Sequence, residues 1–318
     1  MSLLGKLLYQ LYYQPLQRKH TFKKFGGKDN YNAIIRAEQD MKKYALEHLQ
    51  MEQLSSTGKI KINLLTGEKY LHQSLFCVYS LFKQISDFEK ADISVCFYDD
   101  GSLTPDLLAL LAAKYPFIKV ICQRTSRKNV DSILPNANYP FIHKKLDNFQ
   151  LIKKLVYIHA GNSGLNCFFD SDMLFVKKPA ELMKWLYENA DRREHAFGIF
   201  DVMRSYGYTN DEINAVYPPG VVRNINSGLY AIHSEEIDFD LVENLLKGFE
   251  CGYGPNYYQE QLITAIILER SKGLHIAPQS DFIVMPSKEQ TINQHGVLHH
   301  YVAESKEWYF KAGWRQIL

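Results

Sequence analysis

Short apolar runs alternate with longer stretches of helical periodicity from about residue 59 onward. Runs of this kind, rich in β-branched and aromatic side chains and bounded by polar loops, predict buried strands. Strands are predicted at 61–65, 93–98, 117–121, 196–200, 228–232 and 282–285, and helices at 70–84, 104–114, 240–249, 258–268 and within 139–160. Strands that alternate with helices favour a mainly parallel α/β sheet, whose ligands bind at the carboxyl ends of the strands.

The first 57 residues have a different pattern, which is helical and basic. Apolar side chains recur at helical spacing from Leu3 to Tyr12, and six basic residues precede the first acidic one, Asp29. A second helix is predicted over 31–54, followed by a polar linker at 55–58. A basic amphipathic helix can lie on an anionic membrane surface, or pack on its own domain or on a second subunit. We therefore predict a helical basic extension over 1–57 and one larger domain over 58–318.

The strongest chemical signal is the stretch LNCFFDSDMLFVKKP, from Leu165 to Pro179. Its apolar run reads as a buried strand that ends at Asp170-Ser171-Asp172. Since side chains i and i+2 of an extended strand point the same way, the carboxylates of Asp170 and Asp172 can face one point in space. Two adjacent carboxylates repel each other unless a positive group lies between them, and a divalent cation is the simplest such group. The alternative is a turn of solvated aspartates at the edge of the sheet.

Composition narrows the classes of partner and compartment. The chain has 318 residues, of which 46% are hydrophobic and 23% charged, and a net charge of +2 gives no case for a nucleic-acid partner. The five widely spaced cysteines lie mostly in apolar runs, which predicts buried free thiols in a reducing compartment. No apolar run approaches the roughly 18 residues of a transmembrane helix, and the N-terminus is a poor secretion signal. We therefore expect a cytoplasmic protein, with peripheral contact at the inner face of a membrane or homo-oligomerisation through the N-terminal helix as open options.

The far end of the chain carries groups that suit a metal and its anion. A His299-His300 pair is followed by Lys306 and Trp308. Neutral imidazole is a common metal ligand, and a lysine ammonium suits a phosphate. Because neighbouring side chains of an extended segment alternate, only one of the two histidines can point at the metal.

In layout these groups resemble glycosyltransferase family 8, the group that includes glycogenin and bacterial galactosyl- and glucosyltransferases. Its members show, in order, a strand with Asp-x-Asp, an Asn-x-Gly strand, an Asp-Gln-Asp helix and a His-aromatic-x-Gly-x-x-Lys-Pro-Trp segment. The corresponding stretches here are Asp170-Ser171-Asp172, Asn226-Ser227-Gly228, Gln259-Glu260-Gln261 and His300 to Trp308. His300 precedes Lys306 by six residues and Trp308 by eight, which is the family spacing and favours His300 over His299 as the ligand.

The sequence departs from the family pattern at three places. Ala303 replaces the usual glycine and Glu307 the usual proline, which leaves the shape of the phosphate loop open. The triplet Gln259-Glu260-Gln261 differs in charge from Asp-Gln-Asp, which leaves its role open.

The resemblance implies an α/β, Rossmann-like GT-A fold over the catalytic domain, 58–318, with a mixed, mainly parallel sheet flanked by helices. It implies a transferase that moves a hexose, with retention, from a nucleotide-diphosphate sugar (expected to be a UDP-sugar) to a carbohydrate, lipid or protein acceptor, with Mn²⁺ or Mg²⁺ as cofactor. The implied metal ligands are Asp170, Asp172 and His300; the implied donor contacts are Thr66, Gly67, Tyr70, Asp99, Lys154, Ser171 and Lys306; and the residues expected nearest the reacting sugar are Asn226 and Glu260.

Two rival functions stay open on the sequence. A haloacid-dehalogenase-like phosphatase would use Asp170 as nucleophile and Asp172 as acid/base, but the motif lies mid-chain, Leu174 takes the place of the usual Thr or Val, and no clear later acidic pair follows. A non-catalytic sugar-binding homologue would explain the many tyrosines and phenylalanines, but not the transferase spacing. Mn²⁺-dependent binding of a nucleotide sugar separates the transferase from both.

Overall fold

The computed structural model describes residues 20–52 and 56–318. Its strands are β1 (Ile60–Thr66), β2 (Ile93–Asp99), β3 (Ile118–Ile121), β4 (Leu165–Phe169), β5 (Met173–Phe175), β6 (His195–Phe200), β7 (Ile225–His233), β8 (Gly273–Ala277), β9 (Phe282–Val284) and β10 (Leu298–His300). Its principal helices are α1 (Lys28–Glu47), α2 (Leu71–Gln84), α3 (Asp87–Asp92), α4 (Pro105–Lys114), α5 (Gln123–Ile133), α6 (Pro140–Asn148), α7 (Ile152–His159), α8 (Ala180–Asn189), α9 (Asn210–Val216), α10 (Phe239–Tyr253), α11 (Gln259–Glu269) and α12 (Lys288–Ile292). Residues 303–317 form a run of short helical turns, here called the 303–317 segment.

The main sheet has seven strands in the order β3-β2-β1-β4-β7-β6-β8. Strands β3, β2, β1 and β4 are parallel to one another, and β6 is parallel to β8. Only β7 runs the other way, antiparallel to both β4 and β6. This sheet, with helices between successive strands, confirms the predicted α/β class with a mixed, mainly parallel sheet.

Strand β4 is buried on both faces, as the apolar run Cys167-Phe168-Phe169 predicts for an inner strand of such a sheet. Cys167 and Phe169 pack into the hydrophobic cluster on one face, whereas Phe168 packs into the cluster on the other. The alternation follows from the two-residue period of a strand. It fixes the direction in which the chain leaves the sheet at Asp170.

A second, smaller sheet joins distant parts of the chain. Strand β10 lies between β5 and β9, antiparallel to β5 and parallel to β9. In this register His300 lies opposite Met173, the residue that follows the second aspartate. The small sheet therefore brings the end of β10 to the end of β4.

Several predicted boundaries are wrong. The helix predicted within 139–160 is two helices, α6 and α7, separated at 149–151. Helix α1 ends at Glu47, before the predicted end at residue 54. Strands β5, β8 and β10 and helices α3, α5, α8, α9 and α12 were not predicted; β5 and β10 have only three residues each, too few for a period to show.

Helix α1 packs against the hydrophobic cluster on one face of the main sheet. Its side chains Met41 and Ala45 are fully buried in the same cluster as Ile62 and Phe97 of the sheet. The predicted apolar face from Leu3 to Tyr12 lies outside the described residues, and the division of the chain at residue 57 stays a prediction.

The cysteines follow the prediction only in part. All five are free thiols, but Cys122 and Cys251 are exposed, so the prediction of burial is wrong for these two. Among the helices of residues 20–52 and 56–318, none has the length and apolar character needed to cross a membrane.

Candidate active site

The groups singled out in the sequence meet at one edge of the main sheet. Parallel strands β1, β2 and β4 end there at Thr66, Asp99 and Phe169. Strand β7 is reversed, so it begins at this edge with Ile225. Loops at the carboxyl ends of parallel strands are where α/β sheets bind ligands.

An acidic cluster with one histidine lies at the centre of this edge. The Asp170, Asp172 and His300 side chains offer ligand atoms that all lie within 4.8 Å of one another. The His300 Nε2 atom is 3.2 Å from Asp172 Oδ1 and 3.7 Å from Asp170 Oδ2. The backbone holds both aspartates: Asp170 N–H donates to the Gly228 carbonyl at 2.7 Å, and Tyr301 N–H donates to the Asp172 carbonyl at 2.8 Å.

The chemistry of this cluster fits a divalent cation. His300 is 1% exposed, yet neither ring nitrogen has a hydrogen bond of acceptable geometry within the described chain. A buried polar group without a partner is costly, and a cation bound to the imidazole removes that cost. A Cβ atom at Gly228 would lie 2.4 Å from His300 Cε1 and 2.9 Å from Asp170 Oδ2, so only glycine leaves the space beside the three ligands open. Two carboxylates and an imidazole suit Mn²⁺, and their oxygens suit Mg²⁺.

The two adjacent histidines point to different sides of β10. His299 Nδ1 is 3.0 Å from the Tyr301 hydroxyl and its Nε2 is 2.6 Å from the His295 carbonyl oxygen, so both ring nitrogens already have partners. Its burial lowers the pKa of His299 to about 4, which keeps the ring neutral. The structure thus places His300, and not His299, beside the two aspartates.

A lysine from the 303–317 segment lies against the cluster. Lys306 Nζ is 3.0 Å from Asp172 Oδ2, and the same atom is 5.7 Å from the centre of the Tyr70 ring. Burial alone would lower the pKa of Lys306, but the charge of Asp172 outweighs it and the pKa is raised. Burial would raise the pKa of Asp172, and Lys306 with His300 holds it below its usual range. Both groups therefore remain charged at neutral pH.

A second lysine lies on the opposite side of the cluster. Lys154 Nζ, in α7, is 3.1 Å from Glu260 Oε2 and 3.6 Å from Asp170 Oδ2, and donates to Ser227 Oγ at 2.9 Å. Burial would lower the pKa of Lys154, but the two carboxylates raise it. Because the lysine is shared between them, burial still keeps the pKa of Glu260 above its usual value. Glu260 is 3% exposed, and Thr264 donates to its other oxygen at 2.8 Å.

Asn226 is held by a network at the start of β7. Its amide nitrogen donates to Asp201 Oδ2 at 3.0 Å, and its Oδ1 accepts from the Gly228 N–H at 2.9 Å. Gln261 donates to the same Asp201 oxygen at 2.8 Å. Asp201 therefore ties β7 to the first turn of α11, which carries Glu260.

The loops after β1 and β2 form one continuous rim. Glu68 N–H donates to Ser102 Oγ at 2.9 Å, and Asp100 N–H donates to the Thr66 carbonyl at 2.8 Å. A Cβ atom at Gly67 would lie 2.2 Å from Asp100 Oδ1, so the close approach of the two loops requires glycine.

Within this rim the predicted donor contacts have different surroundings. Asp99 Oδ1 accepts from the backbone of Gly101 and Leu103 and so shapes its own loop. Thr66 Oγ1 accepts from Ser74, while Tyr70 and Ser171 are partly exposed. Of these, Tyr70 is the one that the structure brings next to Lys306.

Solved structures share this arrangement of strands and helices. The apo form of mouse xyloside xylosyltransferase 1 is similar with a TM-score of 0.51 and 11% identity, over 76% of this chain and 97% of its own. The galactosyltransferase LgtC, solved in complex with donor and acceptor sugar analogs, is similar with a TM-score of 0.52 and 11% identity, over 81% of this chain and 95% of its own. The chain has the GT-A fold. The sequence matches no protein-family model and no curated protein, so the likeness concerns the fold.

Two residues at the ligand edge of this GT-A fold were not predicted. Lys153 Nζ donates to the Asp100 carbonyl at 2.8 Å, next to the rim. Asp201 directly follows β6, just as Asp170 follows β4, so an apolar strand that ends in aspartate was the signal available for it. Lys153 is adjacent to Lys154 on α7, and nothing in the sequence indicated that Lys153 also lies at this edge.

Proposed function

We propose that this protein is a divalent-metal-dependent glycosyltransferase that moves a sugar from a nucleotide-diphosphate sugar, a UDP-sugar, to an acceptor with retention of anomeric configuration. The observation that carries this proposal is the cluster of Asp170, Asp172 and His300 with Lys306 on one side and Lys154 on the other. A set of two carboxylates and one imidazole, flanked by the buried ammonium group of Lys154 and the partly exposed one of Lys306, suits a metal-bound diphosphate.

Each charged group then has a part in stabilising the departing diphosphate. A cation held by the three ligands supplies Lewis-acid stabilisation of negative charge on the leaving group. Lys306 contributes a fixed positive charge beside Asp172. Lys154 contributes a second one, held in place by Glu260 and Ser227.

The rim formed by the loops after β1 and β2 is the proposed nucleoside site. Tyr70 presents its ring for stacking on the base, while Thr66, Gly67 and Asp99 shape the loops that enclose it. Ser171, between the two aspartates, is the remaining proposed donor contact. The position of Tyr70 beside Lys306 supports this orientation, because it puts the base and the diphosphate at neighbouring points.

The reacting sugar is proposed to lie over Asn226 and Glu260. Both side chains are already held by hydrogen bonds, Asn226 by Asp201 and Glu260 by Thr264 and Ser227. Groups that are fixed before the substrate binds cost no reorganisation during the reaction.

Binding of nucleotide sugars with and without Mn²⁺ tests this proposal. We expect the native protein to melt at a higher temperature with a UDP-sugar only when Mn²⁺ is present. Asp172→Asn should abolish this shift, whereas Asp211→Asn, at an exposed carboxylate on α9, should keep it. A shift that is independent of Mn²⁺, or one that survives in Asp172→Asn, would contradict the metal assignment.

Two further assays, phosphatase activity and UDP release, address the two rival functions. A phosphatase would hydrolyse p-nitrophenyl phosphate with Mg²⁺ without binding nucleotide sugars, and the GT-A fold argues against it. A non-catalytic sugar-binding homologue would show no Mn²⁺-dependent binding of the nucleotide sugar, and it would release no UDP in the presence of any acceptor.

For the compartment we propose the cytoplasm, with contact to a membrane surface or to a second copy through the basic N-terminal segment. The support is compositional: free thiols and the basic residues before Asp29.

A further inference from the structure

Two exposed tyrosines stand directly before the helix that carries Glu260. Tyr257 is 65% exposed and Tyr258 is 46% exposed, and their rings meet edge to face with centroids 5.2 Å apart. No hydrogen bond joins either phenol hydroxyl to another residue of 20–52 or 56–318. Large aromatic side chains left open to solvent at a candidate site indicate a surface that binds something.

The loop that displays these tyrosines is rigidly braced. Asn256 Oδ1 accepts from the Tyr258 N–H at 2.9 Å, and its amide nitrogen donates to the Gly207 carbonyl at 2.8 Å. The Tyr208 hydroxyl donates to the Gly254 carbonyl at 2.9 Å. The braces hold the two rings in one place, which lowers the entropy cost of binding a ligand.

The tyrosine pair borders the candidate active site. Gln261, one turn farther along α11, donates to Asp201, which in turn holds Asn226. Partial burial and the nearby Tyr70 raise the pKa of the Tyr257 phenol, and the charges of Lys154 and Asp170 also act on it. The helix turn that follows the tyrosine pair is therefore connected through Gln261 and Asp201 to Asn226, where the reacting sugar is proposed to lie.

From these features we infer that the acceptor is a saccharide that stacks one ring face on Tyr257 and contacts Tyr258, whose ring stands nearly perpendicular to it; the inference rests on the proposed function. A sugar ring has an apolar face of C–H groups and a rim of hydroxyls, and the electron-rich face of an aromatic ring attracts the former. The free phenol hydroxyls and the neighbouring, partly exposed amide of Gln261 suit the latter. A hydrocarbon chain would instead be bound by aliphatic side chains without these polar groups.

The reaction at this surface follows from its position. An acceptor hydroxyl oxygen forms a bond to the anomeric carbon of the donor sugar while the bond from that carbon to the diphosphate oxygen breaks. The hydroxyl proton leaves with the departing diphosphate. The tyrosines touch the acceptor ring only, so they set which hydroxyl reaches the carbon.

A printed glycan array, probed with the full chain in the presence of Mn²⁺ and UDP, tests the inference. We expect the native protein to bind one class of glycan, and the affinity for the strongest one, measured by calorimetry, to fall about tenfold in Tyr257→Ala. Tyr257→Phe should stay within about threefold, because the ring face remains. Tyr258→Ala is the second variant, and Phe88→Ala is the control, since Phe88 is 75% exposed but lies on α3 at the opposite edge of the sheet.

Three results would overturn the inference: no printed glycan binds to the native protein, Tyr257→Ala and Tyr258→Ala both bind as the native does, or the two variants lose binding to phosphatidylglycerol vesicles instead. The thermal shift given by UDP and Mn²⁺ is measured in every sample. Its absence from the native protein refutes the transferase proposal as a whole. Its presence without glycan binding refutes the saccharide acceptor alone.

Discussion

At the scale of single residues, the turn that leads to Lys306 contains a residue in a strained backbone conformation. Ala303, where the family has glycine, adopts φ +50°, in the left-handed region. An L-residue with a Cβ atom costs about 1 kcal/mol there. The conformation that glycine would adopt freely is therefore retained at a cost in stability, and the departure at Ala303 does not abolish the turn that leads to Lys306.

Ala303→Gly should consequently stabilise the protein by about 0.5–1 kcal/mol, because it relieves this strain. The midpoint of urea unfolding measures the change. Ala113→Gly, at an exposed position of α4, is the matched control and should destabilise by about 0.5–1 kcal/mol. Equal effects at both positions would show that Ala303 is unstrained.

Substitutions at the two histidines of β10 and at Lys306 should differ in their effects on Mn²⁺ affinity and on turnover. His300→Ala should weaken Mn²⁺ binding at least tenfold, because it removes a ligand. Lys306→Ala should leave Mn²⁺ affinity largely intact and lower turnover by about 10². Calorimetry with Mn²⁺ and UDP release measure the two quantities.

His299→Ala is the control in this series. It should bind Mn²⁺ as the native protein does, although it loses stability because its hydrogen bonds to Tyr301 and His295 are removed. If instead His299→Ala loses the metal, the register of β10 is wrong by one residue.

At the residue scale, the sequence was most informative where charged and metal-binding residue types occur at a recognisable spacing. The two-residue period of a strand predicted that Asp170 and Asp172 lie together, and the family spacing to Lys306 predicted His300 as their neighbour. Asp201 was missed because a single aspartate after a strand is common. Its partner, the Asn226 amide, is recognisable only once β6 and β7 are paired.

At the scale of elements, helix α1 is fastened to the 303–317 segment that carries Lys306. Asn30 Nδ2 donates to Glu307 Oε1 at 2.9 Å, and Lys311 donates to both Asn30 and Glu307. Farther along the helix, the rings of Tyr44 and Trp314 lie 5.6 Å apart. Glu307, where the family has proline, thus finds its partner in α1.

Asn30→Ala should therefore loosen the turn next to Lys306. We expect a loss of about 1 kcal/mol in unfolding free energy, since Glu307 and Lys311 each lose a hydrogen bond. The affinity for UDP in the presence of Mn²⁺ should fall about threefold to tenfold, because Lys306 is held less firmly. Asn129→Ala, at an exposed position of α5, should change neither; a stability loss without any change in UDP affinity would limit α1 to a structural role.

Among the strands, those with longer apolar runs were predictable, whereas the three-residue strands β5 and β10 were not. Strands β1 and β2 have seven residues each, most of them apolar, and β4 contains the apolar run Cys167-Phe168-Phe169, because the inner strands of such a sheet are largely buried. Strands β5 and β10 exist because they pair with each other, a condition that no local pattern records. The break between α6 and α7 was likewise hidden, since the basic and apolar residues continue through it.

At the scale of the whole molecule, buried neutral histidines tie stability to pH. Burial lowers the pKa of His159 to about 3, and burial with the charges of Lys42 and Lys306 lowers the pKa of His72 to about 3. The unfolded chain, with a histidine pKa near 6.5, binds protons that the folded chain does not. Their contribution to stability is therefore complete above about pH 6.5 and declines as the pH falls below it.

His159→Gln should flatten this dependence. Each buried histidine lowers the free energy of unfolding by on the order of 1–2 kcal/mol when the pH falls from 7 to 5. Glutamine does not titrate, so the variant should lack the share of this loss that His159 causes. Ser234 and Tyr230 remain as hydrogen-bond partners for the glutamine amide. Unfolding midpoints in urea at pH 5, 6 and 7 measure it. An unchanged slope in the variant would mean that other groups dominate the acid sensitivity.

The pairing of β10 with β5 also determines when function can arise during folding. The proposed metal ligands Asp170 and His300 are separated by 130 residues, and the small sheet that joins them closes that entire loop. Contacts of such long range form late, because the entropy of closing the loop is lost before any contact repays it. On the ribosome, an intermediate that has formed β1, β2 and β4 would still lack a ligand until residue 300 has emerged. If the protein binds Mn²⁺ as proposed, tight Mn²⁺ binding marks the completion of folding, and nascent chains without the last strand should bind nucleotide no better than the unfolded chain.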